Sequence, residues 1–170
     1  MTSNVARDWE DVRGYDLAPD DEAALLARQT ECTFIWLGAS GHPVGVVMNF
    51  IFRDGRFWLT ATRRRKRIAA VERDPRVSVA LSSRGSGMAA RRSLTYQGHC
   101  VVHDDDATKG WFYPDFSAAM RPGHPERAAA FRAQLDSPGR VVLEVVPRLR
   151  MGFDGDRMWQ ASPPLTAPAD

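Results

Sequence analysis

The chain has 170 residues, 44% hydrophobic and 26% charged, the balance of one ordinary globular domain and not of a disordered or fibrous protein. At this length it can bury roughly 70% of its unfolded surface. A formal net charge of +2 is too small for a general nucleic-acid or membrane-surface binder.

Residues 1–16 are charged and aperiodic and read as an arm that orders only by docking. They are polar and acidic where a signal peptide would be apolar, and no apolar run approaches the roughly 20 residues of a membrane span. The expectation is a cytoplasmic protein. Pro19 followed by Asp20, Asp21 and Glu22 is a helix-start signal. That helix is short, presents Leu25 and Leu26 to a core and ends near Thr30.

From Thr33 to Thr62 the pattern is that of strands. Residues 34–37 and 44–52 form apolar runs, and Asp54-Gly55 is a strong hairpin signal before a strand over 57–60. This predicts a three-strand meander, which builds an antiparallel sheet or barrel and not a nucleotide-binding βαβ unit. Residues 64–73 read as a helix stopped at Asp74-Pro75, and 77–81 as a strand. Residues 82–92 read as a Gly/Ser/Arg loop too polar to be packed, and 94–102 as the next strand. Residues 104–111 and 125–135 read as helices joined by a Pro/Gly/aromatic loop. Ser137-Pro138-Gly139 turns into the strongest strand, 140–146. A final hairpin is expected at Phe153-Asp154-Gly155-Asp156, and a disordered tail over 163–170. With no repeat or linker, residues 17–162 read as one α+β domain built on a small barrel.

The stretch that carries chemistry runs from Leu59 to Arg67. Thr60 and Thr62 are two apart, so their hydroxyls share one face of a strand. The chain then enters a helix whose start is crowded with cations, where the helix dipole favours acids. A bound phosphate would offset that charge, accepting bonds from hydroxyls, amides, a guanidinium and an ammonium together. Two other readings stand beside it: solvated charges on an exposed turn, and a nucleic-acid patch, which would want further basic residues and interleaved aromatics.

Other candidates carry less. Cys32 and Cys100 lie far apart among apolar residues and read as small buried hydrophobes. His99 and His103 share a strand face but lack a third ligand, so they read as surface or hydrogen-bonded histidines and no metal is expected. Gly85-Ser86-Gly87 lacks the Lys of a P-loop. No Gly-x-Ser-x-Gly elbow or Ser-His-Asp order is present. Trp111, Phe112, Tyr113 and Phe116 read as core or dimer packing. The competing reading makes the inserted helices a cover over the functional groove.

The run from Gly41-His42-Pro43 through Asp54-Gly55, Thr60-Ala61-Thr62, Arg65-Lys66 and Asp74-Pro75-Arg76-Val77 resembles the pyridoxamine-phosphate-oxidase-like family, which includes flavin and deazaflavin oxidoreductases. The similarity covers residues 30–103 well and 140–160 loosely. It implies an antiparallel split β-barrel with inserted helices, working as a homodimer that holds FMN or a deazaflavin coenzyme in a groove between subunits. The positions matching the family's phosphate ligands are Arg65 and Lys66, with Thr60 and Thr62 beside them. Val46, Val47, Met48 and Asn49 match the strand along the cofactor ring. Ser93 matches a polar ring or ribitol contact, and Trp159 lies near the segment that approaches from the partner subunit.

There are departures. The family's basic pair in the second strand falls on Val46 and Ile51 here, and its C-terminal Arg-x-His falls near Arg157-Met158-Trp159, which has no histidine. Both argue against pyridoxamine phosphate as substrate. The lost basic pair also weighs against FMN in particular and leaves room for a deazaflavin with an acidic tail, which Arg84, Arg91 and Arg92 could meet. The resemblance implies an oxidoreductase that moves hydride to or from a small organic molecule through the cofactor, with no catalytic side chain nominated. Alternatives are a non-catalytic flavin or haem/tetrapyrrole carrier or sensor, and an interaction module with no cofactor.

Overall fold

Alternation between inward apolar and outward polar residues organises most of this molecule. In the computed structural model, which describes residues 11–163, strands β1 (Glu31–Leu37), β4 (Arg56–Thr62), β5 (Arg76–Ser82) and β6 (Arg92–His103) bury alternate side chains along most of their length. Phe34, Phe57, Leu59, Val79 and Leu94 are buried to 1% or less. Each contributes roughly 1.5–3 kcal/mol by leaving water. With β2 (Pro43–Asn49), β3 (Ile51–Arg53) and β7 (Arg140–Asp154) they form one antiparallel sheet, ordered β2-β1-β5-β6-β7-β4-β3.

β2 and β3 occupy opposite edges of that sheet, yet only Phe50 separates them in sequence. The sheet must therefore curl until its edges approach. Phe50 sits at the seam, buried, its N–H donating to the Thr30 carbonyl at 3.0 Å. The outcome is an α+β fold, a split antiparallel half-barrel with helices inserted between strands.

The sequence reading needs correction at this seam. Residues 44–52 are not one strand, and no three-strand meander forms. β2 pairs with β1 and β3 pairs with β4, as two separate hairpins. The Asp54-Gly55 turn is where it was expected, with φ of 54° and 73°, the pair of positive values that a two-residue hairpin of this hand requires.

Five α-helices among the described residues complete the fold. α1 (Pro19–Arg28) carries its three acids in the first turn and buries Leu25. Gln29 follows it and ties it to the sheet, its amide donating to the carbonyls of Ser82 and Arg84. α2 (Lys66–Arg73) plugs the barrel with Ile68, Ala70 and Val71. α3 (Asp106–Met120) and α4 (Pro125–Leu135) pack outside the sheet, where Phe112, Tyr113, Phe116 and Leu135 meet Val142. Val141 to Val145 are consequently buried on both faces of β7.

The aromatic segment expected as a loop is the second half of α3, which continues through Pro114. The expected final hairpin is instead α5 (Gly155–Ala161), which starts because Asp154 Oδ1 accepts from the backbone of Asp156 and Arg157. Loop 82–92 is also less free than its composition suggested. Ser83 is buried, and its hydroxyl donates to the Ala90 carbonyl and accepts from the Arg92 N–H. Gly98 lies at a bulge where β6 meets β7, and a Cβ there would stand 2.3 Å from the Val146 carbonyl oxygen.

Of the expected arm, residues 11–16 are described: Tyr15 is buried, its carbonyl accepting from Asp154 N–H at 2.7 Å. Residues 1–10, and the tail expected after residue 163, lie outside the described residues. Cys32 and Cys100 are free and buried, and burial pushes each thiol up to about 12. His103 is hydrogen-bonded, its Nε2 lying 2.6 Å from Glu144 Oε2. Among the described residues, no helix is long and apolar enough to cross a membrane.

Candidate functional site

The end of β4 places the residues that matter. Ala61 points into the barrel, so Thr60 and Thr62 face outward together. Thr60 Oγ1 donates to the Val141 carbonyl at 2.9 Å, which leaves Thr62 the freer of the two hydroxyls. A turn closes with Arg65 N–H donating to the Thr62 carbonyl at 3.0 Å. Arg65 is the N-cap of α2, in extended conformation and with no capping side chain, and the first turn that follows holds no acid. The cations here therefore crowd a helix start that already carries partial positive charge.

The five basic residues do not act as a block. Arg63 turns away to Asp104 at 2.7 Å and Glu72 at 3.1 Å, and the hydrogen bond to Asp104 raises its pKa. Arg65 and Lys66 are exposed, and no acid among the described residues pairs with either. Arg67 reaches inward, its guanidinium 2.8 Å from Met48 Sδ and 5.7 Å from the Trp36 ring centroid. Burial, and then the charge of Arg65, lowers the Arg67 pKa.

A pocket of about 240 Å³ opens at this corner. Met48 and Asn49 line it from β2, and Thr60, Ala61 and Thr62 from β4. Arg65 and Arg67 line it from the start of α2, and Arg140 from the start of β7. Phe116, Phe131 and Leu135 of the α3–α4 insert close the remaining side. Three arginines thus line one pocket whose lining contains no carboxylate. Arg140 is opposite Thr62 in the β4–β7 register, and its buried Nε has no hydrogen-bond partner.

Five of the ten residues expected from the sequence meet at this pocket: Met48, Asn49, Thr60, Thr62 and Arg65. Lys66 is next to it but does not line it. Val46 packs partly against the core, and Val47 is 67% exposed on the opposite face of β2. Ser93 and Trp159 do not line this pocket. Ser93 pairs with Phe153 near the far end of β7, and Trp159 is on α5 with the Arg91 guanidinium 5.3 Å from its ring centroid. Sequence reasoning missed Arg67 and Arg140, whereas an insert lying over the functional groove was one of its two readings of the aromatic segment. Only the β4–β7 pairing brings Arg140 to Thr62.

Two larger grooves lack this character. One of about 460 Å³ lies over β1, β5 and the Gly98 bulge, but its Arg76 is already paired with Asp74 at 2.7 Å. Another, of about 500 Å³, lies beside α1 and is lined mainly by Ala23, Leu26, Ala27 and Phe52. Of the three loop arginines suggested for an acidic tail, Arg91 pairs with Asp156 and Arg92 with Asp21, while no acid among the described residues pairs with Arg84.

Comparison with known proteins agrees with this architecture. The family model described as pyridoxamine 5'-phosphate oxidase matches residues 19–149. A conserved hypothetical protein of Mycobacterium tuberculosis superposes with a TM-score of 0.73 at 19% identity, over 92% of this chain and 96% of that one. The haem storage protein HutZ of Vibrio cholerae superposes with a TM-score of 0.58 at 15% identity, over 82% and 94%. An F420 reductase does so with a TM-score of 0.56 at 19% identity, over 75% and 94%. Identities this low speak for the fold alone. No curated protein matches the chain significantly.

Proposed function

We propose, from the premise that this chain belongs to the pyridoxamine 5'-phosphate oxidase family, that it is a flavin- or deazaflavin-dependent oxidoreductase. The carrying observation is the carboxylate-free pocket at the end of β4, where Arg65, Arg67 and Arg140 converge beside Thr62. Three like charges held together without an acid are unfavourable unless an anion joins them, and a phosphate is the anion such a set fits. The residues fit the group: Thr62 donates a hydroxyl, Arg65 and Arg67 supply fork-shaped donors, and Lys66 adds charge at the rim. Asn49 and Met48 extend the site along β2.

When bound, a flavin-type ring supplies hydride transfer. The chain's own part is to bind the phosphate, hold the ring along β2 and shield it from water. No side chain at the pocket is arranged as a nucleophile or general base, and none is assigned that role.

A homodimer completes this reading. Ser93 and Trp159 stand away from the pocket on the same chain, so they reach a cofactor only if a partner presents them. Val44 and Val47 on β2 and Leu149 and Met151 on β7 are 39–67% exposed, the apolar surface such a contact would cover. The substrate is a small organic molecule.

Titration of the purified protein with FMN and with a deazaflavin, followed by absorbance, tests the proposal. Saturable binding of one of them, with reduction and reoxidation in the presence of an electron donor and acceptor, is the expected result. A haem-type spectrum with no flavin affinity would move the protein to the carrier reading.

A further inference from the structure

The two helices of the insert are held very differently. α3 buries Phe112, Tyr113, Phe116 and Ser117. It is also tied sideways: Asp115 pairs with Arg53 at 2.7 Å, Lys109 with Asp104 at 2.5 Å, and the Trp111 ring stands edge-on to Trp58 with 4.7 Å between centroids. α4 has none of this. Of its 11 residues only Leu135 is buried and only Ala128 and Phe131 are half-buried, the rest being exposed. Among the described residues, Glu126, Arg127, Arg132 and Gln134 make no ion pair or side-chain hydrogen bond. Its two ends differ as well. Just beyond Leu135 the backbone is fastened, Arg140 N–H donating to the Ser137 carbonyl at 3.0 Å and Arg63 N–H to the Gly139 carbonyl at 2.7 Å. The other end joins α3 through Gly123, at a φ of 74° with nothing packed around it. Phe131 and Leu135, one turn apart on the same face, are what α4 contributes to the pocket wall.

We infer that α4 is a hinged lid on this pocket, pivoting at Leu135 and latched by the Phe131 ring, while α3 stays in place as its frame. A helix of this length is marginal by itself in water, so α4 persists through what it packs against. That is the pivot and one ring. Phe131 meets Phe116 with 6.1 Å between ring centroids, and the Arg121 guanidinium lies 4.5 Å from its own centroid. Both partners belong to α3 or its C-terminal cap, so the latch closes on the fixed half of the insert. Segments with few buried apolar contacts and no side-chain ties are the ones that open at the lowest free energy. Here the side chains that hold the helix down are the same ones that wall the pocket. Release of α4 and opening of the pocket are therefore one event. Closed, the lid sets apolar side chains beside Arg65, Arg67 and Arg140, and excluding water strengthens their hold on an anion. The inference rests on the proposed function only for the identity of the occupant.

Two measurements on the full chain test it. In hydrogen exchange without ligand, the amides of residues 127–134 should exchange at least about tenfold faster than those of residues 112–117. Saturating FMN should slow the first group and leave the second as it was. Equal protection of the two helices in the ligand-free chain overturns the inference. The second measurement is stopped-flow binding of FMN to the wild type and to Phe131→Ala. Truncating a half-buried phenylalanine shifts the balance between closed and open by about tenfold. A loosened lid lets ligand in and out faster, so both rate constants should rise by about that factor and Kd should change less than either. A rigid wall behaves otherwise: its loss speeds dissociation and leaves association untouched. That pattern, or no change in either constant, overturns the lid. Phe131→Leu should move both rates the same way by a smaller factor and serves if the alanine variant does not fold. Should FMN fail to bind the wild type, the flavin form of the proposed function falls, and the exchange of the ligand-free chain alone decides the lid.

Discussion

The arginines around Asp16, Glu22 and Asp156 sit in closed networks of opposite charge, whereas those around Thr62 do not. Arg150 donates to both oxygens of Asp16, at 2.9 and 2.8 Å, and also to Glu22, which in turn accepts from the Tyr96 hydroxyl. The hydrogen bond from Arg150 holds the Asp16 carboxyl below its ordinary range. Burial, and then Glu22, pushes the Tyr96 hydroxyl upward. At the pocket the same kind of side chain faces hydroxyls, an amide and aromatic rings, with no acid. A net charge of +2 conceals this contrast entirely. The lesson is that in a chain nearly balanced overall, unpaired cations are informative by location and paired ones mostly hold the fold.

Substitutions can set the two groups against each other. Arg65→Ala combined with Arg67→Ala should cost about 3–5 kcal/mol of FMN affinity, each charge-assisted bond contributing about 1.5–3. The unfolding midpoint should hold steady or rise, because like charges have been separated. An unaltered dissociation constant by titration calorimetry would erase the distinction. Arg150→Ala should do the reverse, lowering unfolding free energy in a denaturant titration by about 1–3 kcal/mol with FMN affinity unaltered.

The two groups should also part company with pH. The pocket's arginines do not titrate near neutrality, so FMN affinity should follow the phosphate, whose second proton leaves at about pH 6. Binding measured at pH 5 and pH 7.5 should tighten severalfold, while riboflavin stays flat; equal slopes for both would contradict a phosphate ligand. The smallest effect belongs to the paired acids. Asp16, Asp74 and Asp156 have folded pKa values below the ordinary 3.8, Asp74 at about 2. Their contribution is present above pH 4 and is lost as pH falls through the folded values. Thermal midpoints should therefore decline slightly from pH 4 towards pH 2, and a flat profile would show that these pairs add nothing.

The part of the site contained in one short segment was legible in the sequence. Thr60, Thr62 and Arg65 follow from strand alternation and the helix start alone. Arg140 was not, because its relation to Thr62 exists only through the pairing of strands distant in sequence. The same limit split residues 44–52, since nothing local says that the chain changes edges at Phe50. Pro114 misled for a different reason. In isolation it costs a helix interior about 3 kcal/mol, but burial of Phe112, Tyr113 and Phe116 against β7 outweighs that, and Gly110, four residues back, leaves open space. Asp154-Gly155 has the composition of a turn, and the capping bonds that make it a helix start depend on where β7 delivers it.

The length of β7 has a bearing on stoichiometry. Its 15 residues trace a contour of roughly 45 Å, with Arg140 at the near end and the support for Trp159 at the far end. In the homodimer proposed above, one subunit lacking Arg65 and Arg67, paired with another lacking Trp159, would then bring the two intact halves together at a single seat. Mixed assemblies of two individually silent variants should regain up to half the cofactor capacity of the parent.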